Sequence, residues 1–150
     1  MKRILAAAAL IFAANTAQAE IYECDFSRGG AGGWNEPNIF IQVDESKGTA
    51  AVQDGITQSV KQGWYDAKVA NSSDKKLTVT WRVENLKDRS GQNVKSDYRL
   101  VLIKTRLRAN AHMVPRGHEH SFRSSGPVPY PHLTLPTNPI ERAVGRAPSQ

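Results

Sequence analysis

Cysteine is nearly absent from this 150-residue chain, where Cys24 is the only one. A single thiol excludes an internal disulfide framework and every zinc module built on paired cysteines. Proline is almost missing from the first 110 residues, in which Pro37 stands alone, and aromatic residues make up only 7% of the chain. Beyond residue 19 no apolar run approaches the roughly 18–20 residues that a membrane-spanning helix needs. The length excludes a large multidomain enzyme. Acids are scarce enough to leave a net charge of +6, but the excess is not gathered, since residues 1–19, 20–114 and 115–150 each contribute +2. A nucleic-acid binder concentrates Lys and Arg to neutralise closely spaced phosphates, so this even spread disfavours nucleic acid as a partner.

The N-terminus carries the most specific pattern. Met1-Lys2-Arg3 is a positive start, Ile4 to Ala14 is apolar, and Ala17-Gln18-Ala19 has the small-x-small form of a cleavage site. Together they predict a secretory signal peptide over residues 1–19. Asn15, Thr16 and Gln18 interrupt the run too early for an anchor, and Glu20 stands where a lipoprotein would need cysteine. The expected location is periplasmic or secreted, with no membrane span in the mature chain.

Residues 20–114 alternate with the period of strands. Tyr22, Cys24 and Phe26 alternate with acids, Ile39, Ile41 and Val43 repeat the pattern, and Leu77, Val79, Trp81 and Val83 alternate with polar residues. The segment from Tyr98 to Arg108 reads as one further strand, with shorter candidates at Thr49 to Gln53, Ile56 to Lys61 and Trp64 to Val69. Turn residues separate them at Glu45 to Gly48, Asp54-Gly55, Asn71 to Asp74 and Asp88 to Gly91. The expectation is an all-β domain over 20–114 without helix, a small antiparallel meander closed as a barrel, with a β-sandwich as the alternative. Seven of the eight prolines and all four histidines lie beyond Asn110. Because proline lacks the ladder donor, residues 115–150 are expected to be a Pro-rich, disordered tail.

In Tyr22-x-Cys24-x-Phe26, Trp34-x-x-Pro37-x-Ile39 and Val52-x-Asp54, the chain resembles small exported bacterial proteins of unknown function with a compact β fold. The resemblance covers about residues 20–110 and implies an architecture, with no activity attached. It also implies a second cysteine near the C-terminus, from which this chain departs.

Three groups are candidate sites. Trp34, Trp64 and Tyr65 supply aromatic walls for a ligand in a barrel mouth. Lys104, Arg106 and Arg108 recur with period two, which on one strand would place them on a common face as an anion patch. His112, His118 and His120, with Glu119 between the last two, are the only metal-like spacing. The competing readings are a solvated strand face for the cations and a flexible segment for the histidines. Cys24, flanked by Tyr22 and Phe26, reads as a buried small hydrophobe, while an odd thiol in an oxidising compartment leaves open a disulfide dimer. No nucleophile elbow appears, and no cofactor is expected. The leading function is therefore an exported non-enzymatic domain that binds a small molecule, an envelope component or a protein. The alternatives are a metal-assisted hydrolase using the histidines and a structural role through the Pro-rich tail.

Overall fold

Apolar alternation along the chain is answered by a single antiparallel sheet. The computed structural model describes residues 19–27, 36–129 and 131–133. Its elements are β1 (Glu20–Asp25), β2 (Asn38–Asp44), β3 (Thr49–Gln53), α1 (Gly55–Val60), β4 (Tyr65–Ser72), β5 (Lys76–Lys87), β6 (Asn93–Ile103), β7 (Arg108–Pro115), β8 (Phe122–Pro127) and β9 (Pro131–Leu133). They form one sheet in the order β8-β7-β6-β5-β4-β3-β2-β1-β9, so successive strands from β1 to β8 are neighbours, as in a meander. β8 pairs with β7, whereas β9 pairs with the first half of β1 through Glu20–Leu133 and Tyr22–Pro131. β8 and β9 thus act as two halves of one closing strand, and the result is a nearly closed eight-stranded antiparallel barrel. A sandwich would divide the strands between two sheets, and this ladder is continuous.

The inward positions carry the core. Tyr22, Cys24 and Phe26 meet Ile39, Ile41 and Val43 across β1 and β2, and Leu77, Val79, Trp81 and Val83 face Tyr98, Leu100 and Leu102 across β5 and β6. Trp81 stacks on Tyr98 with ring centroids 5.1 Å apart and planes 5° off parallel, a pairing worth about 0.5–1.5 kcal/mol beyond its buried area. Past Val83 the phase of β5 slips by one residue. Asn85 takes a left-handed conformation at φ 62°, and the resulting bulge turns Leu86 inward again.

Three sequence expectations are corrected here. The segment 56–61 is not a strand but lies in the short helix α1. Asp54 accepts from the Thr57 backbone N–H at 2.7 Å while the Asp54 N–H donates to Thr57 Oγ1 at 2.9 Å. This reciprocal capping box overrides the β preference of Ile56, Thr57 and Val60. The strand expected from Tyr98 to Arg108 ends at Ile103; residues 104–107 form a turn and β7 begins at Arg108. The boundary at 114/115 falls inside the sheet, because β7 runs to Pro115 and β8 and β9 follow within the supposed tail. Pro115, Pro127 and Pro131 occupy strand ends, where a missing donor costs least. Between two of them Val128 is buried, and its N–H donates to the Leu107 carbonyl at 2.7 Å. Residues 1–18, where the signal peptide is expected, residues 28–35 with Trp34, Tyr130 and residues 134–150 lie outside the described residues.

Closure depends on one close approach. A Cβ added at Gly126 would lie 1.8 Å from the Asp25 carbonyl oxygen and 3.2 Å from the Phe26 Cα, so the end of β1 occupies the space where any side chain at 126 would project. Gly126→Ala is therefore expected to destabilise the chain by roughly 2 kcal/mol or more, since backbone cannot yield as a flexible side chain does. Denaturant melting measures the loss. Hydrogen exchange should show protection falling first at β1 and β8, and an unchanged melt would contradict this account of the seam.

Candidate functional site

With the apolar faces turned inward, the chemistry of β4 to β8 lies on the outer face. Residues paired across antiparallel strands point to the same side. The registers Lys68–Thr80, Thr80–Arg99, Arg99–His112 and His112–Arg123 therefore set five residues in one row across five strands. One step along the strands, Val101, Asn110 and Ser125 form a shorter row beside it. On the other side Arg82 pairs with Asp97, and Asp97 with Val114.

Differences in side-chain length turn this lattice into a groove. Long residues, Lys68, Arg82, Arg99 and Arg123, stand around short ones, Thr80, Val114, Asn110 and Ser125. Two adjoining concavities result. One, of about 530 Å³, runs from Asp66 and Lys68 over Thr80 to His112 and Val114. The second, of about 440 Å³, lies over β6 to β8 between Arg99, Asn110, Arg123 and Ser125, and Arg99 and His112 line both.

The groove is cationic and only its edge is neutralised. Asp97 accepts from Arg82 Nε at 2.6 Å and from Arg116 Nε at 2.8 Å, tying β5 and β6 to the turn after β7. Partial burial pushes the Asp97 carboxyl up, but the hydrogen bonds from Arg82 and Arg116 outweigh it and hold the group below its ordinary range. Asp66 faces Lys61 at 3.9 Å. By contrast, Lys68, Arg99 and Arg123 have no carboxylate partner among the described residues. His112, between the two arginines, has its Nε2 buried without a hydrogen-bond partner. Such an atom carries a desolvation cost until something pairs with it.

The residues singled out from sequence are distributed differently. Of the expected anion patch, Lys104 and Arg106 sit in the β6–β7 turn and Arg108 opens β7, so the three do not share a strand face. Lys104 is engaged by Glu45 at 2.6 Å. Arg108 alone reaches the groove's border, where its Nη2 lies 3.4 Å from Ser125 Oγ. His118 and His120 are exposed in the β7–β8 connection while His112 is mid-strand. No three His, Cys, Asp or Glu side chains among the described residues converge to hold a metal. Trp64 is half-buried ahead of β4, and the Tyr65 hydroxyl donates to the Arg82 carbonyl at 2.9 Å; neither lines the groove. Cys24 is fully buried in the barrel, and that burial pushes its thiol up, keeping it protonated. A disulfide dimer through Cys24 would require the barrel to open.

A second concentration of polar groups surrounds the start of α1. Asp54 is buried, and burial raises its carboxyl despite donors from Thr57 and Ile56; Glu36 is raised by burial and by the Asp54 charge. A Cβ at Gly55 would meet the Glu36 carboxylate at 2.8 Å. The Tyr98 hydroxyl is raised by burial and by both acids. Of these groups, Asp54 is accounted for by the capping of α1. No helix among the described residues is long and apolar enough to cross a membrane.

The Asp97 clamp sets a pH dependence. A carboxyl held below its ordinary 3.8 adds stability above that value and loses it as the pH falls through the lowered one. Asp97→Asn is expected to cost about 1 kcal/mol or less at neutral pH, as exposed pairs do, and to flatten the fall in melting temperature below about pH 4. An acid limb identical to wild type would show that the clamp contributes nothing. No protein-family model matches the chain, and no curated protein or solved structure matches it.

Proposed function

We propose that this chain is an exported, non-enzymatic binding domain that holds a small ligand on the outer face of β4 to β8. The carrying observation is the coincidence of two adjoining concavities with three cations, Lys68, Arg99 and Arg123, that no described carboxylate neutralises. Binding sites combine a concave surface with a few convergent polar groups, and this groove has both. Small eight-stranded barrels are often filled by side chains, and the buried inward residues of this one, from Phe26 to Met113, support a site outside it.

Export is supported by the charged start and apolar run of residues 1–19. β1 begins at Glu20, so cleavage after Ala19 removes nothing from the sheet. Expressed with its leader in a bacterium, the protein is expected in the periplasm or medium with a mass corresponding to an N-terminal Glu20. An uncleaved cytoplasmic product would contradict the export reading. For binding, amide NMR spectra recorded with a panel of small carboxylates, phosphomonoesters and sugars are expected to shift at Arg99, His112 and neighbouring positions. Shifts confined to the far side of the barrel, or none, would contradict the placement.

A further inference from the structure

We infer that the β6–β8 end of the groove is an oxyanion site that takes phosphate or sulfate, free or as a monoester, between Arg99 and Arg123 above His112. This rests on the outer face being the binding surface and adds the chemistry of what binds there. Arg99, His112 and Arg123 are direct cross-strand neighbours on β6, β7 and β8, which puts the two arginine Cβ atoms about 10 Å apart with the imidazole midway. Both guanidinium arms are exposed and long enough to converge over it. Arginine presents its N–H groups in a rigid fork that matches two oxygens at once. Two such forks meet one anion from opposite sides, over the half-buried imidazole of His112.

The row beside it completes the set. Asn110 and Ser125 bring an amide and a hydroxyl to the same concavity, and Arg108 leans on Ser125 Oγ at 3.4 Å. The nearest acid along β6 is Asp97, and both of its oxygens are engaged by Arg82 and Arg116, so it does not compete for Arg99. Donors arriving from both sides and from the adjoining row suit a tetrahedral anion with four oxygens. A planar carboxylate would be satisfied by one fork and leave the second arginine unused. The row carries no Phe, Tyr or Trp on which a base could stack, which favours a small oxyanion-bearing ligand over a nucleic-acid strand.

The test is an amide NMR titration of the mature chain at constant ionic strength with inorganic phosphate, sulfate, glycerol phosphate and acetate. Phosphate and sulfate are expected to give saturable shifts at Arg99, His112, Arg123 and Ser125, with acetate much weaker. Arg99→Gln and Arg123→Gln should each weaken phosphate binding by about tenfold or more, as loss of a charge-assisted contact does. Arg99→Lys should recover only part, and Arg106→Gln, in the exposed turn, should change nothing. All three substituted positions are exposed, so the variants leave the core intact. Phosphatidic acid vesicles distinguish the sources: vesicle binding lost in Arg99→Gln assigns the anion to a lipid headgroup, and vesicles left unbound assign it to a soluble ligand. Phosphate shifts that do not saturate, or that persist in both glutamine variants, would overturn the oxyanion assignment. If sugars or carboxylates still shift the groove in that event, the binding surface stands and only its ligand class falls; if nothing shifts it, both fall.

Discussion

The structure turns on a seam. Eight strands enclose an apolar interior only if the two edges of the sheet meet, and here they meet by overlap, with the carbonyl of Asp25 seated where a side chain at Gly126 would otherwise stand. The closing strand then divides its pairing, β8 to β7 and β9 to β1, with buried Val128 between the halves. An open sheet would expose the inward stripe of Phe26, Ile39, Leu77 and Leu100 and leave unpaired edges that invite aggregation. Near-closure covers the stripe, shortens the free edges and commits the interior to packing. The proposed binding surface is the outside of the barrel.

That outside is organised by register. No two of Lys68, Arg99, His112 and Arg123 are closer than eleven positions in sequence, yet pairing across β4 to β8 aligns them in one row. Charge counted by segment is even, and charge counted by face is not. The acids that could have neutralised the row are placed elsewhere: Asp97 bridges Arg82 and Arg116, Glu45 holds Lys104, and Asp54 caps α1. The result is a cationic concavity whose strands are fixed by backbone hydrogen bonds, so a ligand there would have only the exposed side chains to order.

Much of the fold was legible because large residues mark the inward face. β5 alternates up to Val83, and Tyr98, Leu100 and Leu102 are buried as their pattern predicts. β7 and β8 were not legible because most of their inward residues are small: Ala109 and Ala111 on one, opposite Leu102 and Leu100, and Ser124 and Gly126 on the other, with only Met113 and Phe122 large. Small inward residues leave no hydrophobic period to detect, and the prolines nearby signalled a tail. The helix was missed because Ile56 and Val60 favour strands, although Asp54 with Thr57 three residues on was a visible cap. The groove was illegible for a different reason. Its row follows from pairing partners in five strands, and register depends on turns and bulges such as those at Leu107 and Asn85 that hydropathy does not encode. Period two along 104–108 pointed to anion chemistry, but the turn at 104–107 dispersed those residues and left Arg108 alone at the site's border.

The most direct measurement is a crystal structure of the mature protein grown with tungstate, a heavy tetrahedral anion whose position is unambiguous from its anomalous scattering. A closed barrel with tungstate between the guanidinium groups of Arg99 and Arg123, over His112, is the predicted result. Tungstate bound only elsewhere on the surface, or a sheet left open at Gly126, would contradict the account.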